Sequence, residues 1–171
     1  DMLGRVRQSH PEARIDGVNV QPMVRRPSAF ELILGVAEDP IFGPVMLFGQ
    51  GGTGVEVIGD RVIGLPPLNP LLARDMIQRT RVSRLLEGYR DRPAVDIEAI
   101  VLALVKLSQL VACLPRVVSL DINPLLADAS GVIALDARVV VRNASKPRVP
   151  MTIRPYPREL AHDIVTQTGQ H

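Results

Sequence analysis

The sequence predicts an α+β domain in which an antiparallel or mixed sheet is flanked by helices. Short β-type runs separated by tight-turn signals occupy residues 18–63 and return at 117–140, and helical periodicity fills the interval between them. Of the 171 residues, 46% are hydrophobic and only 3% are aromatic, so Val, Leu and Ile must fill the core. This length suits one domain of ordinary size.

The first predicted elements are a helix end and a series of short strands. Residues 1–17 are polar, and Met2 and Val6 suggest the tail of a helix. Residues 18–24 have the composition of a strand whose proline places it at an edge or a hinge. The other strands, the last two of which flank the turn signal Gly59-Asp60, are predicted at 30–36, 45–48, 55–58 and 61–63.

Two helices are predicted after these strands. Apolar residues recur at three- and four-residue intervals from Pro70 to Tyr89, with arginines on the other side. Asp96 can cap a longer helix that ends at Pro115 and holds one apolar stripe. Because apolar residues such as Leu102 also occupy its other faces, we expect this helix to be covered on more than one side.

The last predicted elements form a hairpin followed by a proline-rich tail. Strands are predicted at 117–122 and 132–140, with a turn at residues 128–131. From Asn143 onward, prolines interrupt any regular element except a short helix at about 158–166. The predicted organisation is therefore a helix tail at 1–17, a folded lobe at 18–142 and a proline-rich linker at 143–171.

Composition and charge narrow the classes of partner. The 20 basic and 18 acidic residues leave a net charge of +2, and the basic residues are spread along the chain. All but Lys106 and Lys146 are arginines, which favours bidentate recognition of phosphate or carboxylate over lysine chemistry. A single cysteine cannot form an internal disulfide, and no apolar run is long enough for a membrane span, so we expect a cytoplasmic protein without a membrane partner.

An arginine-rich stretch at residues 74–92 raises the question of nucleic-acid binding. Acidic residues interleave with these arginines, so local ion pairs on solvated helix faces are favoured over contacts with a polyanion. The scarcity of aromatic residues also leaves little material for base stacking. We therefore expect no nucleic-acid partner.

A glycine-rich segment at residues 49–54 matches the pattern G-x-G-x-x-G. A dinucleotide-binding fingerprint needs a helix directly after the glycines, but residues 55–58 have the composition of a strand, so that interpretation is rejected. A Walker A loop is also excluded, because no Gly-Lys-Ser/Thr follows. Two interpretations remain: a loop whose amides approach a phosphate or thioester, or glycines that only serve tight turns.

The predicted hairpin carries a polar face. Centring its turn within residues 128–131 pairs Asn123 with Asp136 and Asp121 with Arg138, and the period of two places all four side chains on one face. The apolar residues between them, Leu120, Ile122, Ala137 and Val139, face the other way.

Asn123 and Asp136 are candidate ligands of one metal ion. Directly opposed side chains have Cβ atoms about 5 Å apart, so the amide oxygen and the carboxylate can share a hard cation. Two oxygens are too few to hold Mg²⁺ alone, but Mg²⁺ commonly completes its shell with water and nucleotide phosphates. The alternative is a solvated sheet face with an Asn-Pro turn and an ion pair between Asp121 and Arg138.

Four segments, taken together, resemble the ATP-grasp domain of ADP-forming acyl-CoA synthetases, which are relatives of the succinyl-CoA synthetase beta subunit. The resemblance covers about residues 15–142 in unbroken order and implies the C-terminal lobe of an ATP-grasp domain. The segments are Glu-Leu-Ile-Leu-Gly-Val at 31–36, Asp-Pro-Ile-Phe-Gly-Pro-Val at 39–45, Gly-Gln-Gly-Gly at 49–52 with Val55-Glu56, and Asp-Ile-Asn-Pro-Leu at 121–125 with Asp-Ala-Arg at 136–138.

The resemblance implies roles for the candidate residues. It makes Asn123 and Asp136 the ligands of the Mg²⁺ that accompanies ATP or ADP. It places Asp121 near the site of phosphohistidine transfer, where the succinyl enzymes more usually have Glu. It identifies residues 20–23, within the predicted strand 18–24, with the interlobe hinge, whose backbone contacts the edge of the adenine base. The other residues that it implies for nucleotide binding are Gln21, Met23, Glu31, Gly51 and Gly52.

The resemblance also implies partners. The first ATP-grasp lobe with its phosphate-binding lysine, the phosphorylated histidine and the CoA-binding and ligase domains are expected in other parts of the same chain or in a partner chain. The 171 residues would then hold half of a Mg-ATP site in an acetyl-CoA or other acyl-CoA synthetase. On their own they are expected to lack ligase activity and to bind ATP weakly at best.

The tail suggests an alternative function. Residues 153–160 resemble the connector that leads to a GNAT-type acetyltransferase domain in fused bacterial proteins. In that case, the ATP-grasp part would be a catalytically inactive regulatory module that senses a ligand and controls an attached protein-lysine acetyltransferase. The acyl substrate and the oligomeric state do not follow from the sequence in either case.

Overall fold

The computed structural model describes residues 1–52, 59–143 and 148–154. Within these ranges, no helix combines the length and hydrophobicity that crossing a bilayer requires. In chain order, the elements are α1 (Met2–Ser9), β1 (Phe30–Asp39), β2 (Gly43–Gln50), β3 (Arg61–Gly64), α2 (Pro70–Gln78), α3 (Ser83–Leu86), α4 (Ile97–Cys113), β4 (Val117–Asp128), β5 (Gly131–Ala134) and β6 (Ala137–Val141).

The strands form one antiparallel sheet in the order β3-β2-β1-β4-β5, and β6 also pairs with β4. Because β5 and β6 pair with successive parts of the long strand β4, they occupy the same edge of the sheet one after the other. The predicted fold class, an antiparallel sheet with flanking helices, is confirmed.

The core lies between one face of this sheet and the helices. Leu34 of β1 pairs with Phe48 of β2, and both side chains are fully buried. The helix α4 contributes Ile100, Leu104 and Val111, which are also fully buried, to the same cluster. The aliphatic composition therefore does fill the core, with Phe48 as its largest buried side chain.

The long helix begins where the sequence predicts. The Asp96 carboxylate accepts a hydrogen bond from the Ala99 amide at 3.0 Å, and the Asp96 amide donates to the Asp128 carbonyl at 3.0 Å. The expectation of cover on more than one side is confirmed only in part, because Val105 packs against the core cluster, whereas Leu102 is 51% exposed and Cys113 is also exposed. The helix contacts both α2 and the sheet strand β5.

Three predicted elements differ from the structure. Residues 18–24 are not a strand: they pair with no part of the sheet, and Val20 is 87% exposed. The predicted strand 132–140 is interrupted between β5 and β6 at Leu135 and Asp136. The predicted helix from Pro70 to Tyr89 divides into α2 and α3. The strand at 55–58 and the helix at 158–166 lie outside the described residues.

The division between α2 and α3 has a cause in the buried residue Asp60. Its two carboxylate oxygens accept hydrogen bonds from the backbone amides of Arg81 and Val82, at 2.7 and 2.8 Å. In a helix that continued through these residues, the same two amides would donate hydrogen bonds to carbonyls one turn earlier. Asp60 therefore fixes the loop between the two helices against the start of β3.

Replacing Asp60 by Ala is expected to lower the free energy of unfolding by about 3 kcal/mol, because two amides lose charge-assisted hydrogen bonds inside the protein. The stability of Asp60→Asn should lie between those of the wild type and Asp60→Ala, since asparagine keeps one acceptor oxygen. Urea unfolding measures the difference. Asp16→Ala is the control, because Asp16 is exposed and pairs with Arg14, which is also exposed, so its loss should change stability by less than about 0.5 kcal/mol. Equal stability of the two Ala variants would contradict the assignment.

The described part of the tail packs back onto the domain. Arg148 donates from Nη1 to the Val111 carbonyl at 3.0 Å, and burial lowers the pKa of its guanidinium. Thr152 donates from Oγ1 to the Phe42 carbonyl at 2.9 Å, and the Pro150 carbonyl lies against Gly43. The last strand ends at Val141, so these contacts come from the segment that the sequence predicts as a linker.

Candidate functional site

The second face of the sheet is partly open in the described part of the chain, although Ile33 and Leu126 are buried there. Ile63 of β3 is 60% exposed there, and Ala37 and Asp121 are also exposed. A cavity of about 360 Å³ lies on this face above β1, β2 and β4. The polar face predicted for the hairpin belongs to this open side.

Asn123 and Asp136 face each other across the sheet edge. The register that pairs Leu125 with Ala134 and Ile122 with Ala137 brings these two residues opposite each other. The backbone N–H of Asn123 donates to the backbone carbonyl of Asp136 at 3.3 Å, and both residues are exposed. The predicted pairing is confirmed, whereas the role of the two side chains as metal ligands stays a prediction.

A bulge in β4 directs the Asn123 side chain towards the open face. Leu32 pairs with Leu125 and Leu34 pairs with Ile122, so the register between β1 and β4 shifts by one residue at Asn123 and Pro124. Ile122 packs against the core, so by strand alternation the next side chain points to the opposite face. A proline suits this position, because the bulge leaves one residue without a ladder hydrogen bond.

Asp121 lies beside a glycine that the sequence analysis did not single out. Asp121 pairs with Gly35 of β1, and a Cβ atom added to Gly35 would lie 3.9 Å from the Asp121 carboxylate. Gly35 therefore leaves space on the open face next to this carboxylate. A glycine inside a strand pattern is the sequence signal that could have identified it.

The ion pair on this face joins Arg138 to Asp136, whereas the sequence predicts a pair between Arg138 and Asp121. Arg138 lies opposite Asp121 in the register, but its Nε lies 3.4 Å from the carboxylate of Asp136. The side chains of Arg138 and Asp136 are 82% and 55% exposed. The pair connects Arg138 of β6 to Asp136, which directly precedes that strand, rather than to Asp121 of the neighbouring strand β4.

The donor set on this face fits Mg²⁺. The Asn123 amide oxygen and the Asp136 carboxylate are hard oxygen donors on one solvated surface, and the Asp121 carboxylate belongs to the same face. Within the described ranges, no three or more His, Cys, Asp or Glu side chains converge to hold a metal ion. The protein would thus supply part of a coordination shell that water and phosphate oxygens complete.

A cavity lies beside the predicted hinge. Residues 21–24, which include Gln21 and Met23, line a cavity of about 420 Å³ together with Ile133, Ala134 and Leu135. This volume lies in the range of small-molecule sites. Its lining ends at Leu135, the residue that directly precedes the candidate metal ligand Asp136.

The glycine-rich segment packs tightly against Glu31. The Gly51 amide donates to the Glu31 carbonyl at 2.7 Å, so it is engaged within the protein. Gly52 has a φ of +87°, and a Cβ atom there would lie 2.7 Å from the exposed Glu31 carboxylate. Close packing and turn geometry therefore account for both glycines, and their role in nucleotide binding stays a prediction. Residues 53–58 lie outside the described ranges.

Two arginines of the 74–92 stretch form ion pairs. Arg79 lies 3.6 Å from Asp75 one helical turn away, which confirms the predicted local pairing for this residue. Arg74 of α2 pairs instead with Glu98 of α4, which lies outside the stretch.

A protein-family model described as an ATP-grasp domain matches residues 1–141. Over 141 residues, the chain is 38% identical to acetate–CoA ligase (ADP-forming) I of Archaeoglobus fulgidus, covering 82% of this chain and 20% of that protein. It is 34% identical to the beta subunit of acetate–CoA ligase (ADP-forming) I of Pyrococcus furiosus, covering 82% of this chain and 60% of that subunit. The chain thus spans only part of the curated relatives that it matches.

Solved structures of an acetyl-coenzyme A synthetase from Ca. Korarchaeum cryptofilum are similar in fold. One, in complex with coenzyme A, acetyl-coenzyme A and a phosphorylated phosphohistidine segment, has a TM-score of 0.76 and 35% identity, covering 82% of this chain and 62% of that one. Another, in complex with coenzyme A and Mg-AMPPCP, has a TM-score of 0.64 and 37% identity, covering 68% of this chain and 55% of that one. The resemblance to the ATP-grasp domain of ADP-forming synthetases is therefore confirmed, and the chain belongs to the ATP-grasp domain family.

Proposed function

We propose that this chain contributes half of the Mg-nucleotide site of an ADP-forming acetyl-CoA or other acyl-CoA synthetase. Such an enzyme interconverts acyl-CoA, ADP and phosphate with the free acid, CoA and ATP. The observation that carries the proposal is the opposition of Asn123 and Asp136 on the open sheet face, beside the cavity at residues 21–24. The matched relatives, which are named as ADP-forming acetate–CoA ligases, support it.

The nucleotide would lie along the hairpin edge. In this arrangement, the backbone at Gln21 and Met23 would contact the base in the cavity beside β5, and Asn123 and Asp136 would hold Mg²⁺. When bound, Mg²⁺ would neutralise the charge of the phosphates. The side-chain amide oxygen of Asn123 would come from β4, and the Asp136 carboxylate would come from the residues between β5 and β6. The solved relative that holds Mg-AMPPCP supports the choice of ligand.

The open face beside β1 would receive the phosphoryl acceptor. The Asp121 carboxylate borders the space that Gly35 leaves. There it would accept a hydrogen bond from the N–H of an acceptor imidazole and so orient the nitrogen that takes the phosphoryl group. Glu31, near the start of β1, would border the proposed nucleotide site together with Gly51 and Gly52. A relative whose phosphohistidine segment points towards its nucleotide site supports this role.

The first ATP-grasp lobe and the CoA-binding and ligase domains would come from the same chain or from a partner chain. The family match ends at residue 141, close to the end of the proposed lobe at 18–142, but it also includes residues 1–17, so residues 143–171 would connect the domain to its neighbours. Cytoplasmic substrates imply a cytoplasmic protein. The connection to a GNAT domain falls on residues 153–160, most of which lie outside the described ranges, and no observation favours it.

The full-length protein tests this proposal when it is supplied with acetyl-CoA, ADP, phosphate and Mg²⁺ while ATP is measured by luciferase. ATP should form only when all four are present, and Asp16→Asn, which alters an exposed residue outside the site, should leave the rate unchanged. If the protein binds Mg-ADP but turns over no acyl-CoA, the proposal of a synthetase would be wrong and a regulatory module would be favoured. Absence of nucleotide binding would contradict the half-site itself.

A further inference from the structure

We infer that Arg138 occupies the Asp136 carboxylate while the metal is absent and binds the nucleotide phosphates once a divalent ion displaces it. The inference rests on the proposed function and adds a residue to the site. Arg138 would then couple metal binding to nucleotide binding through one side chain.

The geometry gives Arg138 two carboxylate neighbours. Its guanidinium contacts Asp136, two residues earlier and just before the start of β6, with the Nε to Oδ2 distance at 3.4 Å. Its strand position is directly opposite Asp121, where Cβ atoms lie about 5 Å apart. The arginine therefore stands between the two acidic side chains of the open face.

Charge balance explains why the pair would separate. Without a metal ion, one cation faces two carboxylates, so the guanidinium is the local counter-ion. A divalent ion on Asp136 would bring a second, larger positive charge to the same oxygens, and like charges at that distance repel. Because both side chains are mostly exposed, the existing ion pair is weak and is displaced at little cost.

The released guanidinium would have a suitable new partner. Arginine presents a planar fork of donors that matches phosphate in a bidentate manner, whereas lysine acts as a point charge. A nucleotide whose metal is held by Asn123 and Asp136 would bring its phosphates to the same strand edge. Arg138, two residues from Asp136 and on the same face, lies within a side chain's length of them.

The variant Arg138→Gln in the full-length protein tests the inference with two probes. Titration with Mn²⁺ alone, followed by electron paramagnetic resonance, should give about threefold tighter binding, because the competing cation is gone. Calorimetric titration with Mg-ADP should give about tenfold weaker binding, because a phosphate contact is lost. Arg138→Lys should bind Mn²⁺ as the wild type does but Mg-ADP more weakly.

Arg14→Gln is the matched control. Arg14 also pairs with an aspartate two residues away, Asp16, and its side chain is 88% exposed. This variant should leave both affinities unchanged. If Arg138→Gln shifts both affinities in the same direction, or shifts neither, the inference is overturned while the proposed function stands. Failure of the wild type to bind Mg-ADP would overturn both.

Discussion

Replacing Asp136 by Asn is expected to weaken the binding of Mg-ADP to the full-length protein by about 100-fold, or about 2.7 kcal/mol. Asparagine keeps the shape of the side chain and one oxygen, but it removes the negative charge that a hard divalent cation prefers. The fold should be unaffected, because Asp136 is exposed and its backbone carbonyl, rather than its side chain, bonds to Asn123. Calorimetric titration with Mg-ADP measures the loss.

Asp121→Asn is the matched control for this prediction. Asp121 is an exposed carboxylate of the same face, but it lies beside Gly35 rather than at the Asn123–Asp136 pair. Its amide variant should change the affinity for Mg-ADP by less than about threefold and should instead slow phosphoryl transfer, because it borders the proposed acceptor position. Equal losses of nucleotide affinity in the two variants would count against Asp136 as the ligand.

Replacing Gly43 by Ala is expected to lower the free energy of unfolding by about 3 to 4 kcal/mol. Gly43 follows the turn at Asp39, has a φ of +71°, and would carry its Cβ atom 2.3 Å from the Pro150 carbonyl oxygen. The left-handed backbone alone costs about 1 to 2 kcal/mol for alanine. The remainder comes from the backbone of the tail, which must shift away from the new methyl group.

Two other glycines separate these contributions in urea unfolding. Gly59 has a φ of +59° with no described atom within 4 Å of an added Cβ, so Gly59→Ala should show the conformational cost alone. Gly17 meets no described atom and has no positive φ, so Gly17→Ala should change stability by less than about 0.5 kcal/mol. If Gly43→Ala costs no more than Gly59→Ala, residues 148–152 do not pack on the domain as described.

The hairpin shows what the sequence alone can predict. Its turn at residues 128–131 consists of residues with a strong local preference, and once a turn is placed, counting outward from it fixes every cross-strand pair. That register holds from Leu125 with Ala134 to Ser119 with Val140. The opposition of Asn123 and Asp136 could therefore be predicted without any knowledge of the rest of the fold.

Contacts between distant parts of the chain explain what the sequence did not predict. The helix after Pro70 is interrupted because Asp60, about 20 residues earlier, takes two of the amides that the helix would use. Residues 18–24 have strand composition but pair with no strand of the sheet, and residues 21–24 line a cavity together with residues of β5. Neither effect is visible in local propensity.

The partner of Arg138 illustrates a different limit. The period of two predicts which face Arg138 shares, but a long side chain on a solvated face can reach either of two carboxylates. The sequence suggested Asp121, and the structure pairs Arg138 with Asp136. Register is a property of the backbone, whereas this choice depends on side-chain rotamers.

The most direct test of the site is a crystal structure of the full-length protein with ADP and Mn²⁺, in which anomalous scattering locates the metal. The Mn²⁺ peak should lie within coordination distance of both the Asn123 amide oxygen and the Asp136 carboxylate, with nucleotide phosphates completing its shell. A metal peak on other residues, or a nucleotide bound away from this strand edge, would contradict the account.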